Sequence, residues 1–160
     1  MPSRETKGKP ARDGRAPAAK PAGQKAGERR PIVLLVEDDL AVRGPLQKFL
    51  ALHGFDVVTA DSADGAIDRL RELRVAAAIV DLRLTQGSGR EVILSIPPPT
   101  PVIIFSAVPD ESGGLEQMRP NTRLIQKPFS LLMLVESVQK MIAAAARNEP
   151  GTRRISPHAT

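Results

Sequence analysis

The sequence predicts an α/β fold, a parallel sheet covered by helices on both faces. Three observations predict it. Short apolar runs alternate with segments of helical period from residue 31 to residue 146. Several runs, such as Ile32 to Val36 and Val75 to Val80, carry no polar alternation, as expected of strands buried on both faces. The polar residues with chemistry to offer follow the ends of these runs, where a parallel sheet collects its ligands.

Taken in order, Ile32 to Val36 is a buried strand that runs straight into three acids, Glu37, Asp38 and Asp39. Val42, Leu46, Phe49 and Leu50 then recur at helical spacing, and Gly54 marks a helix stop. Pro45 removes a donor and crowds the preceding turn, which places it near the first turn or at a kink. Phe55 to Thr59 is a second strand, and Ser62 to Leu73 a helix capped by Asp61 or Ser62. The run Val75 to Val80 again ends on an acid, Asp81. The loop "LRLTQGSG" leads into a short helix, Gly89 to Ser95, which "PPPTP" terminates. Val102 to Phe105 is the fourth strand, followed by Ser106 and Ala107. A weak helical segment near Asp110 to Met118 precedes a fifth run, Leu124 to Gln126, and "KPF" at Lys127 to Phe129. In the last helix, Leu131 to Ala146, residues Leu131, Leu134, Val135, Val138 and Ile142 share one face.

The basic character of the chain lies outside this body. Residues 1–30 hold nine Lys and Arg against three Asp and Glu, a net of +6, among Pro, Gly and Ala. A segment so poor in large apolar side chains cannot offset the entropy of ordering, so disorder is expected for 1–30 and for the similar stretch 147–160. The body, 31–146, has eleven basic and fourteen acidic residues, a net of −3, and the size of an ordinary domain. With no cysteine, neither a disulfide framework nor a thiolate metal site can form. No apolar stretch reaches the length of a secretory core or a membrane span, so a cytoplasmic location without a membrane partner is expected. The basic tail has no interleaved aromatics for base stacking. No specific nucleic-acid partner is expected, only weak contact independent of sequence.

Glu37, Asp38, Asp81, Ser106 and Lys127 all fall at strand carboxyl ends, so one crevice should collect them. Two carboxylates about 4 Å apart repel by roughly 4 kcal/mol at an effective dielectric near 20. Three carboxylates and one ammonium therefore call for a further cation, and an all-oxygen donor set favours Mg²⁺ or Mn²⁺ over zinc. Asp81 could then attack a phosphoryl donor and form an acyl phosphate, with the metal, Lys127 and the Ser106 hydroxyl neutralising or hydrogen-bonding the transferring group.

The motifs "VEDD", "VDLRL…GSG", "IIFSA" and "QKPF", in that order, resemble the receiver domain of two-component response regulators, over roughly residues 32 to 143. The resemblance implies a flavodoxin-like, five-stranded doubly wound sheet of order 2-1-3-4-5 with five helices. It implies Asp81 as phosphoacceptor, Glu37 and Asp38 as the acidic pair, the Arg83 backbone carbonyl as a further metal ligand and Ser106 as the switch hydroxyl. Lys127 matches the family lysine, followed by Pro128 in a cis bond, and Asp39 caps the following helix. The implied metal is Mg²⁺ or Mn²⁺. The implied partners are a sensor histidine kinase or histidine phosphotransfer protein and a downstream protein target. Two features depart from the family pattern: Leu124 stands where an aromatic ring is usual, and "RPNTR" replaces the usual Gly-Ala before the fifth strand.

These readings lead to an expectation of a single-domain response regulator that takes phosphate on Asp81 and acts through protein contacts, not as an enzyme. About 14 residues follow the last expected helix, too few for an output domain. One rival is a receiver-like binding module that signals without phosphate. The other is a phosphatase of the haloacid-dehalogenase type; that family wants an acid two residues after its nucleophile, where this chain has Arg83.

Overall fold

The computed structural model describes residues 29–108 and 112–148. The tails expected to be disordered lie outside the described residues, apart from Arg29, Arg30, Arg147 and Asn148. Five strands and five helices alternate: β1 Ile32–Val36, α1 Leu40–Leu52, β2 Asp56–Ala60, α2 Ala63–Glu72, β3 Ala77–Asp81, α3 Gly89–Ser95, β4 Val102–Ser106, α4 Leu115–Met118, β5 Thr122–Gln126 and α5 Leu131–Asn148. The strands form one parallel sheet of order β2-β1-β3-β4-β5, the arrangement that the sequence implied.

Pleating explains why the central strands are apolar at every position. Leu34 and Val36 of β1 join Ala78, Val80 and Ile104 on one face, beneath Ala66 of α2, Val92 and Ile93 of α3 and Leu115 of α4. Val33 and Leu35 join Ile79, Ile103 and Phe105 on the other, beneath Leu46 and Leu50 of α1 and Leu134, Val135 and Val138 of α5. Each fully buried aliphatic side chain contributes about 1.5–3 kcal/mol, so the two layers outweigh any single polar contact in stabilising the sheet. The outer strands β2 and β5 are only partly covered and keep polar residues such as Asp56 and Arg123 exposed.

Several boundaries differ from the sequence reading. Phe55 belongs to the turn before β2, where its N–H donates to the Leu50 carbonyl and its ring is buried. Gly54, with φ +94°, supplies the left-handed residue that ends α1. Pro45 is the sixth residue of α1, in its second turn, and the helix runs through it. Of the two candidate caps for α2, Ser62 is the one used: its hydroxyl accepts from the Gly65 N–H at 3.3 Å. The helix expected near Asp110 to Met118 is a single turn, Leu115–Met118. Gly113 and Gly114 precede it at φ +53° and +77°, and Pro120 holds Arg119 extended behind it, so both ends are closed off. β5 starts two residues before the expected run because Thr122 and Arg123 pair with Val102 and Ile103 on a half-exposed strand. α5 continues two residues past Ala146.

The loop carrying "PPPTP" is held by a buried cation. Arg119 donates to the carbonyls of Pro97 at 2.8 Å, Thr100 at 3.0 Å and Ile96 at 3.2 Å. Burial lowers the pKa of its guanidinium, which faces carbonyl dipoles instead of a carboxylate. Arg119→Met should therefore destabilise the domain by about 3 kcal/mol, because three carbonyls lose a charged donor together. Urea unfolding would check this, and a loss below about 1 kcal/mol would show that water replaces the guanidinium at little cost.

Candidate functional site

The chain passes from β1 outward to β2 and then returns across β1 to β3, so strand order reverses between β1 and β3. In such sheets ligands bind beyond the carboxyl ends of the strands at that reversal, which makes this rim the candidate site. Register brings its residues level. Val36 pairs with Val80, which sets Glu37 beside Asp81; Asp81 pairs with Phe105, and Ser106 with Gln126. The Lys127 N–H then donates to the Ser106 carbonyl at 2.8 Å. Four strand ends thus deliver their polar residues to one rim.

Lys127 occupies the centre. Its ammonium donates to Glu37 Oε2 at 2.9 Å and to Asp81 Oδ2 at 2.5 Å, and lies 5.8 Å from the centre of the Phe105 ring. The Glu37 and Asp81 side chains are almost wholly buried, at 2% and 9% exposed, whereas Lys127 keeps 26% in water. Burial pushes the Glu37 carboxyl above its ordinary pKa, and the Asp81 charge adds to the rise; the hydrogen bond and charge of Lys127 oppose it. Burial would lower the pKa of Lys127, but its hydrogen bonds to Asp81 and Glu37, with their charges, outweigh that and raise it.

The structure does not bring the Asp38 carboxylate into this triad. Asp38 Oδ2 accepts from the Thr85 N–H at 3.0 Å, across to the loop after β3. Those hydrogen bonds, from the backbone and side chain of Thr85, outweigh burial and lower the pKa of Asp38. Among the described residues no three His, Cys, Asp or Glu side chains converge on one point. Asp81 Oδ1 accepts from the Arg83 N–H at 2.9 Å, which turns the chain sharply after β3. A carboxylate has about four lone-pair sites, so Asp81 with two accepted bonds can still serve as a metal ligand. Asp38 and Asp81 carboxylates with a backbone carbonyl fit a hard dication that retains water ligands. Gly89 makes the turn possible: a Cβ there would stand 2.0 Å from the Asp81 carbonyl oxygen, so no other residue fits.

Ser106 is buried, and its hydroxyl donates to the Val108 carbonyl at 2.7 Å while accepting from the Val108 N–H at 3.1 Å. The Lys127–Pro128 bond is cis, as the resemblance implied. Leu124 is half-buried against the layer that includes Ile104 and Leu115. Asp39 caps α1, with Oδ1 accepting from the Ala41 N–H at 2.8 Å.

Glu37, Asp81, Ser106 and Lys127 therefore meet at one rim, with Asp38 beside them. Thr85, Gly89 and Arg43 also shape the site and were not read from the sequence. For Gly89 the signal was the Gly-bearing loop itself; for Arg43 it was a basic residue near the start of a helix, where the macrodipole disfavours one. Among the described residues no helix is long and apolar enough to cross a membrane.

Comparison with known proteins agrees with this fold. The family model described as the response regulator receiver domain matches residues 33–139. The transcriptional regulatory protein PrrA of Mycobacterium leprae is 31% identical over 140 residues, covering 82% of this chain and 59% of PrrA. The response regulator RR06 of Streptococcus pneumoniae is 27% identical over 114 residues, covering 69% of this chain and 52% of RR06. The chain thus spans only 52–59% of the length of these relatives. A CheY-like receiver domain protein from Methanospirillum hungatei superimposes with a TM-score of 0.69 at 19% identity, covering 76% of this chain and 100% of that one. A receiver protein from Sinorhizobium medicae gives 0.67 at 23% identity, covering 72% and 97%. At these identities the solved structures show the fold; the family match over residues 33–139 carries the family. The chain belongs to the response regulator receiver domain family.

Proposed function

We propose that Asp81 accepts a phosphoryl group from the phosphohistidine of a sensor histidine kinase or histidine phosphotransfer protein. The resulting acyl phosphate alters how the domain binds a downstream protein. The observation that carries this reading is the buried Glu37–Lys127–Asp81 arrangement at the switch point of the sheet. Receiver domains as a family work with such kinases, phosphotransfer proteins or effector domains, and they generally bind Mg²⁺ at the phosphorylation site.

In the proposed reaction, a carboxylate oxygen of Asp81 attacks phosphorus. The bond from phosphorus to the donor imidazole breaks, and its electron pair leaves with that ring. The carboxylates of Asp38 and Asp81 and the Arg83 carbonyl would hold Mg²⁺ or Mn²⁺, with Glu37 alongside. The ion supplies charge neutralisation at the phosphoryl oxygens when bound. Lys127 leaves Asp81 Oδ2 for a phosphoryl oxygen, keeping its bond to Glu37. The Ser106 hydroxyl exchanges the Val108 carbonyl for the phosphoryl group and so passes the change to the segment after β4. The domain is a phosphoacceptor and not an enzyme that turns over a substrate, and it acts in the cytoplasm through protein contacts.

With acetyl phosphate and Mg²⁺ the protein should gain one phosphoryl group by intact mass, and Asp81→Asn should gain none. Asp38→Asn should need a higher Mg²⁺ concentration for the same uptake. Full uptake by Asp81→Asn would falsify the assignment of the phosphoacceptor.

A second prediction concerns charge balance without a metal. Lys127 has a raised folded pKa, so its contribution is complete below 10.5 and is lost only as pH rises through the folded value. Glu37 is also raised, so its contribution is complete below 4.5 and is lost as pH rises through its folded value. Lys127→Met removes the cation that offsets Glu37. It should cost about 2–4 kcal/mol near neutral pH, at the low end for a buried pair because Lys127 is partly solvated. Acid protonates Glu37 and relieves the unpaired charge, so the loss should shrink from about pH 7.5 to about pH 5. Urea midpoints in EDTA at the two pH values would test it; an equal loss at both would mean that packing, not charge, is responsible.

A further inference from the structure

We propose that Arg43 is a positioning residue for the acidic pair: from α1 its guanidinium grips the backbone carbonyls of Glu37 and Asp38 and so fixes where their side chains stand. This rests on the reading of the crevice as a metal-assisted phosphoacceptor site.

The contacts are specific. Arg43 Nη1 donates to the Glu37 carbonyl at 2.6 Å and to the Asp38 carbonyl at 3.2 Å. One nitrogen, through its two hydrogens, spans two successive carbonyls. The rest of the turn is tied by other means. The Glu37 N–H donates to the Ala60 carbonyl at 3.1 Å, and the Asp39 N–H to Glu37 Oε1 at 3.3 Å. Arg43 thus ties the two carbonyls of a turn whose Glu37 and Asp39 amides are held elsewhere.

A cation in the first turns of a helix opposes the macrodipole, so its placement calls for compensation, which the two carbonyls provide. Its hydrogen bonds go to carbonyls and to no carboxylate, so it leaves the acids' oxygens open to other partners. On its far side Arg43 lines a polar cavity of about 400 Å³ with Thr59, Asp61, Asp68 and Arg69. Water from that side can solvate the two carbonyls if Arg43 is truncated. The fold should then survive while the turn loosens, and loosened ligand backing costs metal affinity more than stability.

The sign of the effect separates positioning from electrostatics. Removing a positive charge near a cation site should, by relief of Coulomb repulsion alone, tighten Mg²⁺ binding. Loss of positioning weakens it. Isothermal titration of the full chain with Mg²⁺ should show Arg43→Met binding about tenfold or more weakly, the usual scale for loss of a group that orients metal ligands. Arg43→Lys, whose ammonium can still donate to both carbonyls, should recover most of that affinity. Arg69→Met, across the cavity and off the turn, should leave it unchanged, and urea midpoints in EDTA should move little for Arg43→Met. Binding by Arg43→Met as tight as the parent's, or tighter, overturns the proposal. If Arg43→Met does not fold, Arg43→Gln carries the test, with the same weakening expected and parental affinity overturning it. A parent that binds no Mg²⁺ overturns the phosphoacceptor reading itself, whereas a binding parent with an unaffected variant overturns only the role of Arg43.

Discussion

Lys127 stands between Glu37 and Asp81 at hydrogen-bond distance from both, and the arrangement of the sheet serves to keep it there. Two buried carboxylates at adjacent strand ends repel unless a cation sits between them, and the ammonium arrives from the far edge strand through β5. Ordering the sheet β2-β1-β3-β4-β5 sets the carboxyl ends of β1, β3 and β4 side by side, with Lys127 reaching across from β5. An apolar replacement of all three charges would stabilise the fold at least as well, since a buried ion pair rarely repays its desolvation. The triad is thus best understood as chemistry that the fold tolerates.

That balance also sets what the site can accept. In the proposed reaction Lys127 has only to change partners to meet a phosphoryl oxygen, the Ser106 hydroxyl would donate to another, and a metal ion on the acidic residues would supply the remaining positive charge. The Asp38 carboxylate is held by Thr85 outside the triad, and those hydrogen bonds lower its pKa. The backbone close behind Asp81 is equally constrained, because Gly89 touches its carbonyl with no room for a side chain.

The β4–α4–β5 side of the domain is less regular than its interior. The layer over β4 and β5 ends in a one-turn α4 between a glycine pair and Pro120, and Leu124 lies half-buried against it. Ser106 is bonded to Val108 in this same region. In the proposed reaction, movement of the hydroxyl toward a phosphoryl group would break its bond to the Val108 carbonyl in this region. Leu124 brings no hydroxyl and less area than an aromatic ring, so the energy available from reburying it is small.

The sequence by itself determined the fold class, because that rests on local patterns, and it singled out the candidate site residues by their places at strand ends. Uniform apolar runs such as Ile32 to Val36 identify strands covered on both faces, and chemical residues at the ends of four of the five runs point to one rim. It could not determine element edges where the pattern weakens: β5 opens with Thr122 and Arg123, which look like loop until β4 pairs with them. It could not choose between Asp61 and Ser62 as a cap, nor find the single turn of α4, because both depend on backbone angles set by neighbours. Above all, only the tertiary structure decided which charges meet. Lys127 reaches Glu37 across 90 positions of sequence, Asp38 turns to Thr85 across 47, and Arg43 bonds to carbonyls that no side-chain pattern displays. Such pairings are fixed by strand order and register, which are properties of the whole sheet and of no segment within it.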